Sequence, residues 1–154
     1  MAIAPKVEFT QPNGTTPVSL LDFDTVDAGT FSREFSILVW NNRGQSSAVS
    51  DMTQCTVTTH DQNGGNTGEL VTGRWIEVRV DSMGENTFTP IGGTNSKTIQ
   101  AEGVGAGIIS GAVNNGTVAG AKQNYAQLTF VANVPTLATA GNVDFLIRVS
   151  YQFP

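Results

Sequence analysis

The chain has few of the residues from which active sites are built. Its 154 residues include one cysteine, Cys55, and one histidine, His60. A single cysteine excludes an intrachain disulfide, and one His with one Cys cannot supply the three or four ligands of a zinc site. The two residues fall on one predicted strand, on opposite faces and on the order of 16 Å apart. We therefore expect no Cys–His catalytic pair and no metal cofactor.

Charge is also scarce. Charged residues make up 14 % of the chain, the formal net charge is −5, and the 8 Lys and Arg residues are scattered singly. Without a basic stripe to displace counterions, nucleic acid is not an expected partner. The chain contains neither a glycine-rich phosphate loop nor a nucleophile elbow. We therefore expect a protein that is not an enzyme and that carries no cofactor.

Long apolar runs are missing as well. No segment approaches the roughly 18 continuous apolar residues of a membrane span, so no membrane partner is expected. The first stretch, "MAIAPKVEF", lacks an apolar core of signal-peptide length. We expect the chain to be made in a host cytoplasm and to leave it by lysis or by assembly into a particle.

The chain does contain a clear period-two pattern of apolar residues. Ile76, Val78 and Val80 alternate with polar residues, and turn signals such as Asn13-Gly14 and Asn115-Gly116 separate the alternating segments. This spacing predicts an all-β, antiparallel β-sandwich of about seven to nine strands. The predicted strands lie near 6–10, 17–23, 30–41, 53–60, 73–81, 87–91, 97–101, 125–133 and 142–153.

One long segment interrupts the strand pattern. Residues 103–121 are rich in glycine, which argues against the short helix that could otherwise be placed there. The segment is either an ordered loop or a mobile arm, and we treat 1–154 as a single domain with this insertion. A connection of this length is typical of functional loops. We expect the insertion to contact another subunit, and we expect deletion of 104–120 to leave a folded monomer that assembles poorly.

Two acidic segments are candidates for a cation site. Asp22, Asp24 and Asp27 form a small cluster, and the stretch 61–69, "DQNGGNTGE", loosely resembles a calcium loop. The alternative is a solvated strand edge for the first and a polar hairpin loop for the second. The sequence favours the alternative in both places.

The two tryptophans are candidates for a binding surface. Trp40 and Trp75 fall on the face opposite the cleaner apolar stripe of their strands. Such residues either stack on a sugar ring or become buried in the core or against a neighbouring subunit. We expect an interface made by these two tryptophans together with Ile108, Ile109 and Val113 of the glycine-rich insertion.

The stretch "LDFDTVDAGTFSREFSILVWNNRG" resembles the abnormal-spindle/hydin type of Ig-like domain. In that pattern a strand ending in an aromatic residue precedes a "V-x-A-G" turn and a strand that ends in an asparagine pair, here Asn41-Asn42. With "LVTGRWIEVRVDSMGE" and "NYAQLTFVANVPTLATAGNVDFLIRVSYQF", most of the chain resembles small structural virion proteins of tailed bacteriophages. The resemblance implies an Ig-like sandwich with Phe23 and the row Phe35, Ile37 and Val39 turned inward.

Three functions follow as hypotheses. The resemblance implies a non-enzymatic virion protein, foremost a capsid decoration or cement protein on the head shell, with a tail or neck component as the alternative. Its partners would be the major capsid protein or tail and neck proteins, together with further copies of itself. A carbohydrate-binding module that uses Trp40 or Trp75 is the second hypothesis. An enzyme is the third and the least favoured, because no acid–base constellation is visible.

Overall fold

The alternating segments form strands that pair into two antiparallel sheets. The computed structural model describes residues 2–154. A five-stranded sheet and a three-stranded sheet pack face to face, which confirms the predicted β-sandwich. The strands are β1 (Val7–Thr10), β2 (Phe35–Asn41), β3 (Thr53–Asp61), β4 (Ile76–Val80), β5 (Thr89–Ile91), β6 (Lys97–Thr98), β7 (Tyr125–Ala132) and β8 (Phe145–Gln152). A single helical turn, α1 (Glu69–Thr72), precedes β4, and short 3₁₀ turns lie at Asp81–Met83 and Lys122–Asn124.

The strand order is β1-β2-β7-β4-β5 in the larger sheet and β6-β3-β8 in the smaller one. The pairs β1·β2 and β4·β5 join consecutive strands, whereas the other pairs join strands distant in the chain, so that β2 and β7 bring together residues such as Ile37 and Leu128. Their inward side chains alternate with outward ones, as the pleat requires. The core between the sheets is built mainly from Ile37, Val39, Val57, Ile76, Val78, Leu128 and Phe130, all buried.

The inward row of β2 was predicted correctly, and Phe23 confirms the expected packing. Its ring lies between Phe35 of β2, at 5.0 Å in an edge-to-face arrangement, and Phe145 of β8, at 6.1 Å and stacked. Aromatic pairs favour both geometries. Phe23 therefore joins the two sheets where β2 lies across from β8.

Four strand predictions were wrong in extent. Residues 17–23 form no strand beyond one bridge from Pro17 to Thr10, after which the chain leaves the edge of β1. The strand predicted at 97–101 is only the two residues of β6, and the one predicted at 30–41 begins at Phe35. The strand predicted at 73–81 begins only at Ile76, after the helical turn α1, in which Leu70 and Val71 are buried. No helix among residues 2–154 is long and apolar enough to cross a membrane.

Candidate interaction surfaces

The structure keeps the lone cysteine and the lone histidine apart. Cys55 faces the core on β3, where burial raises the pKa of its thiol to about 11. His60 lies near the end of the same strand and bonds through Nδ1 to Asn66 Oδ1. A thiol that stays protonated and is shielded from solvent is a poor nucleophile. Cys55 therefore serves as a small apolar core residue.

The acidic cluster at 22–27 is part of a surface loop. Asp22 Oδ1 accepts the backbone N–H of Asp24 at 2.9 Å, and the Asp24 carboxylate lies 3.4 Å from Arg33 with both side chains mostly exposed. Residues 23–27 and 30–33 line a surface hollow of about 290 Å³. Within the described part of the chain, no group of three or more His, Cys, Asp or Glu side chains is placed to hold a metal ion.

The stretch 61–69 is a polar loop closed by its first residue. The Asp61 carboxylate accepts the backbone N–H groups of Thr67, at 2.8 Å, and Gly68, at 3.0 Å, and also the Thr67 hydroxyl. These bonds, led by the Thr67 N–H, lower the pKa of Asp61. Both carboxylate oxygens of Asp61, which a calcium ion would need as ligands, are thus hydrogen-bonded within the turn that leads into α1.

Trp40 is buried by the chain's own loop. It is fully inaccessible on the outer face of the larger sheet, where its ring lies 4.7 Å from that of Tyr125. Its indole N–H donates to Thr10 Oγ1 at 2.9 Å. Ala121 and Val118 of the glycine-rich insertion complete this second apolar cluster. The surface expected around Trp40 is therefore covered within the molecule, so the ring offers no platform for a sugar.

Trp75 is also interior, with 7 % of its surface exposed. It belongs to the main core cluster, between α1 and β4. The alternation in "RWIEVRV" predicted the opposite orientation. The prediction was wrong because Arg74, at φ 51°, is left-handed and turns the chain just before β4 begins at Ile76. Neither tryptophan thus presents the face on which the carbohydrate hypothesis depended.

The glycine-rich insertion is an ordered loop folded on its own domain. Ile109 is fully buried and forms a β-bridge with Met52, while Ile108 is half-buried. Of the three predicted interface residues that lie in the insertion, only Val113 is exposed, at 56 %. Removing 104–120 would uncover Trp40 and Met52, so we now expect this deletion to destabilise the fold rather than to leave an intact monomer.

Buried asparagine side chains hold the insertion in place. Asn42 Nδ2 donates to the carbonyls of Ser47, at 2.8 Å, and Gly111, at 2.9 Å. Asn124 Nδ2 donates to those of Ser110 and Ala112, both at 2.9 Å. The family resemblance predicted that the pair Asn41-Asn42 would end this strand, and β2 does end at Asn41. The bonds to a loop about 70 positions away were not predicted, since no local signal marks them.

One end of the sandwich exposes large apolar side chains. Phe31 is 63 % exposed and Leu137 is 93 % exposed. They lie on two loops joined by backbone bonds from Gly29 N–H to Val134, Val134 N–H to Thr30, and Ser32 N–H to Ala132. We call the surface formed by Phe31 and Leu137 the apolar end. The sequence pattern did not predict this surface, although a leucine in the turn-rich stretch "VPTLATAGN" could have indicated an exposed apolar residue.

The four sheet edges differ in how they are protected. The outer side of β1 bonds to residues 16–18, since Gln11 N–H donates to Thr16 and Val18 N–H to Phe9. The β5 edge is three residues long with Pro90 at its centre, and the β6 edge is two residues that include Lys97. The β8 edge is eight residues long, contains no proline or lysine, and ends the smaller sheet. Edge strands of this kind are prone to pair with another strand.

No family model matches this chain, and a search of curated proteins finds no match either.

Proposed function

We propose that this chain is a non-enzymatic structural protein of a bacteriophage particle, most specifically a decoration protein that docks on the head shell. The resemblance of the sequence to small Ig-like virion proteins supports this function, and so does a surface adapted to contact rather than to chemistry. Its charge-poor composition, at 14 % charged residues, leaves few charges to desolvate in a close protein–protein contact.

The observation that carries the proposal is the apolar end. Phe31 and Leu137 are large apolar side chains left in water on two loops that are hydrogen-bonded to each other, and exposed apolar patches mark protein contacts. Burying such a side chain against a partner contributes about 1.5–3 kcal/mol. We assign docking to this end, and no longer to the glycine-rich insertion, because Ile109, Gly111 and Val118 of that insertion pack onto or bond to its own domain.

The first experiment locates the protein. Particles purified from the source of the sequence are analysed by mass spectrometry and cryo-electron microscopy. Density of this fold on the outer head shell is the expected result. Density confined to the tail or neck would keep the structural role and refute the decoration assignment. Complete absence from particles would refute the proposal.

The second experiment tests the docking surface with matched variants. Leu137→Asp and Phe31→Asp place a charge in the apolar end, and Val113→Asp places one on the exposed part of the insertion. Cosedimentation with shells that lack the protein should weaken about 10- to 100-fold for the first two variants, from the loss of about 1.5–3 kcal/mol of burial. Val113→Asp should bind like the parent chain. The reverse ranking would return the docking surface to the insertion.

A further inference from the structure

Three Asn-Gly pairs lie on turns of the sandwich, where the chemistry of the pair allows one spontaneous reaction. They are Asn13-Gly14, Asn63-Gly64 and Asn115-Gly116, and each asparagine is exposed. In this reaction the backbone nitrogen that follows an asparagine attacks the carbon of the side-chain amide. A following glycine favours the attack, because it has no Cβ to hinder the approach and its backbone bends freely. On sequence alone the three pairs are alike.

The fold engages the attacking nitrogen in all three pairs. The backbone N–H groups of Gly14, Gly64 and Gly116 each donate a hydrogen bond, at 2.9, 2.8 and 2.9 Å. The nitrogen is therefore free to attack only after its turn opens. When opening is fast compared with the chemical step, the rate follows the population of the open form.

The attacked carbon is activated in the same way in each pair. The asparagine Oδ1 accepts the backbone N–H of the residue two positions later, which is Thr15 at 3.0 Å, Gly65 at 2.9 Å or Thr117 at 3.1 Å. A donor at this place stabilises the oxygen that becomes negative as the carbon is attacked. Because all three pairs share this bond, the ease of opening the turn decides which pair reacts.

The turn at Gly14 is tied to the segment that follows β2. Arg43 Nη1 donates to the Gly14 carbonyl at 3.1 Å. Gly14 itself is buried, and a Cβ built on it would lie 2.7 Å from Val118 Cγ2. Opening this turn therefore breaks a bond to a distant residue and disturbs close packing, in addition to breaking the local bonds of the turn.

The turn at Gly116 is tied to the same segment. Asn114 Oδ1, which accepts the Gly116 N–H, also accepts the Gly44 N–H at 2.8 Å. Asn114 Nδ2 donates to the Asn42 carbonyl at 2.7 Å. A Cβ built on Gly116 would lie 3.0 Å from Gly44 Cα, so the two backbones are in contact. Opening this turn therefore also breaks bonds to distant residues.

The turn at Gly64 has no such tie. Among residues 2–154, every hydrogen bond to 62–64 comes from within Asp61–Gly65. A Cβ built on Gly64 would have Arg148 Nη2, at 3.9 Å, as its nearest atom outside the adjoining residues. This turn therefore opens by breaking local bonds alone, with free space around it.

We propose that Asn63 is a deamidation site in the folded protein, whereas the folds of the other two turns protect Asn13 and Asn115. The Gly64 nitrogen bonds to Asn63 Cγ as the bond from Cγ to Nδ2 breaks. Nδ2 leaves as ammonia, with the proton that the Gly64 nitrogen gives up through water. Water then opens the resulting succinimide at either carbonyl and leaves aspartate or isoaspartate. The product carries one negative charge more than the formal −5 of the parent chain.

Timed incubation of the whole chain tests this site. The protein is kept at mildly alkaline pH for several days, and samples are digested with pepsin in acid, where the reaction is slow. Mass spectrometry then measures the deamidated fraction of each Asn-Gly peptide, and electron-transfer fragmentation identifies isoaspartate. A parallel incubation in guanidinium chloride gives the three rates without the fold.

The expected order follows from the number of bonds that must break. Each additional hydrogen bond of ordinary strength lowers the open population about two- to tenfold. In the folded chain Asn63 should therefore deamidate about tenfold faster than Asn13 or Asn115, or more. In denaturant the three rates should be similar, because each pair has glycine in the following position.

Matched variants test the cause. Asn63→Gln should abolish the acidic species in ion-exchange chromatography, because its longer side chain would have to close a less favourable ring. Asn114→Ala removes the acceptor that holds Gly116, so it should raise the rate at Asn115 about tenfold and leave Asn63 unchanged. Arg43→Gln should raise the rate at Asn13 in the same way. In each variant the pairs not released report whether the whole fold has loosened.

Three results would overturn the proposal. Rates at Asn63 that equal or fall below those of the other two pairs in the folded chain would show that the local turn is no weaker. Absence of conversion at Asn63 while the denatured chain converts would show that this turn is protected too. The same ranking in denaturant would assign the order to sequence context rather than to the fold. None of these results bears on shell docking, which cosedimentation tests separately.

Discussion

Replacement of Asn42 by alanine tests whether the glycine-rich insertion is held by buried amide bonds. Asn42 is fully buried, and its Nδ2 donates to Ser47 and Gly111 carbonyls at 2.8 and 2.9 Å. Its backbone is left-handed at φ 60°, a conformation that asparagine tolerates better than alanine. Asn42→Ala therefore removes two bonds and introduces backbone strain at once.

The expected loss of stability is large for one small side chain. Leaving the buried Gly111 carbonyl without its donor costs about 1–3 kcal/mol, and losing the bond to Ser47 costs about 0.5–1.5 kcal/mol. Alanine in the left-handed region adds about 1 kcal/mol. Alanine also removes the Asn42 Oδ1, which is buried without a partner among the described residues, and this offsets about 1 kcal/mol of the loss. The free energy of unfolding should therefore fall by about 2–4 kcal/mol in total, which lowers the Tm by roughly 4–16 °C for a chain of this size.

Urea unfolding followed by tryptophan fluorescence measures this change, since Trp40 lies under the insertion. Asn42→Gly separates the two causes: it loses the same bonds but relieves the strain, so it should be about 1 kcal/mol more stable than Asn42→Ala. Asn13→Ala is the matched control, because the Asn13 amide bonds Thr15 and Thr16 on an exposed turn. It should cost about 1 kcal/mol or less. If Asn42→Ala and Asn13→Ala cost the same, buried amide bonds do not hold the insertion.

Three further predictions concern single groups. Thr59 is fully buried, and its hydroxyl has no hydrogen-bond partner among the described residues. Thr59→Val should therefore raise the free energy of unfolding by about 1 kcal/mol. A lower free energy of unfolding in urea would show instead that the hydroxyl makes a stabilising hydrogen bond. Cys55, with its thiol pKa raised to about 11, should react with a thiol reagent at pH 8 only as the chain unfolds; rapid labelling of the folded protein would contradict its burial. The pKa of Asp61 is lowered on folding from its ordinary value of 3.8, so its bonds stabilise the fold above that pH and are lost as the pH falls through the folded value. Asp61→Asn should therefore flatten the acid side of the stability curve, and an unchanged acid limb in pH-dependent urea titrations would refute this assignment.

The sandwich was predictable because its strands obey a local rule. Ile76, Val78 and Val80 bury and Glu77 does not, as period two requires. The period-two rule failed to predict the observed structure where a nearby residue in the chain changed the course of the backbone. Arg74 turns the backbone ahead of β4, so Trp75 faces inward against the alternation. Pro17 forms a single bridge with Thr10, and the segment after it continues without strand pairing to Phe23, which lies between Phe35 and Phe145.

The candidate surfaces were harder to predict than the strands. Of the five residues expected at an interface, Trp40, Trp75 and Ile109 are interior, Ile108 is half-buried, and Val113 is exposed. An apolar residue on the second face of a strand indicates that something covers it, without telling whether the cover is a partner or the same chain. In this protein the glycine-rich insertion covers Trp40.

The sequence by itself determined the class of architecture and the presence of only one cysteine and one histidine. The alternation of apolar residues and the turn residues are properties of neighbouring positions, and the counts of cysteine and histidine are properties of composition. All of them can be read without knowing which segments contact each other. The tertiary structure alone decided that the insertion covers Trp40, that Phe31 and Leu137 share one end, and that β8 is left with an open edge. These features arise from contacts such as Asn42 with Gly111, which join residues 69 positions apart. Contacts of this kind depend on the order of the strands and on how the two sheets pack. Local sequence patterns do not predict that order.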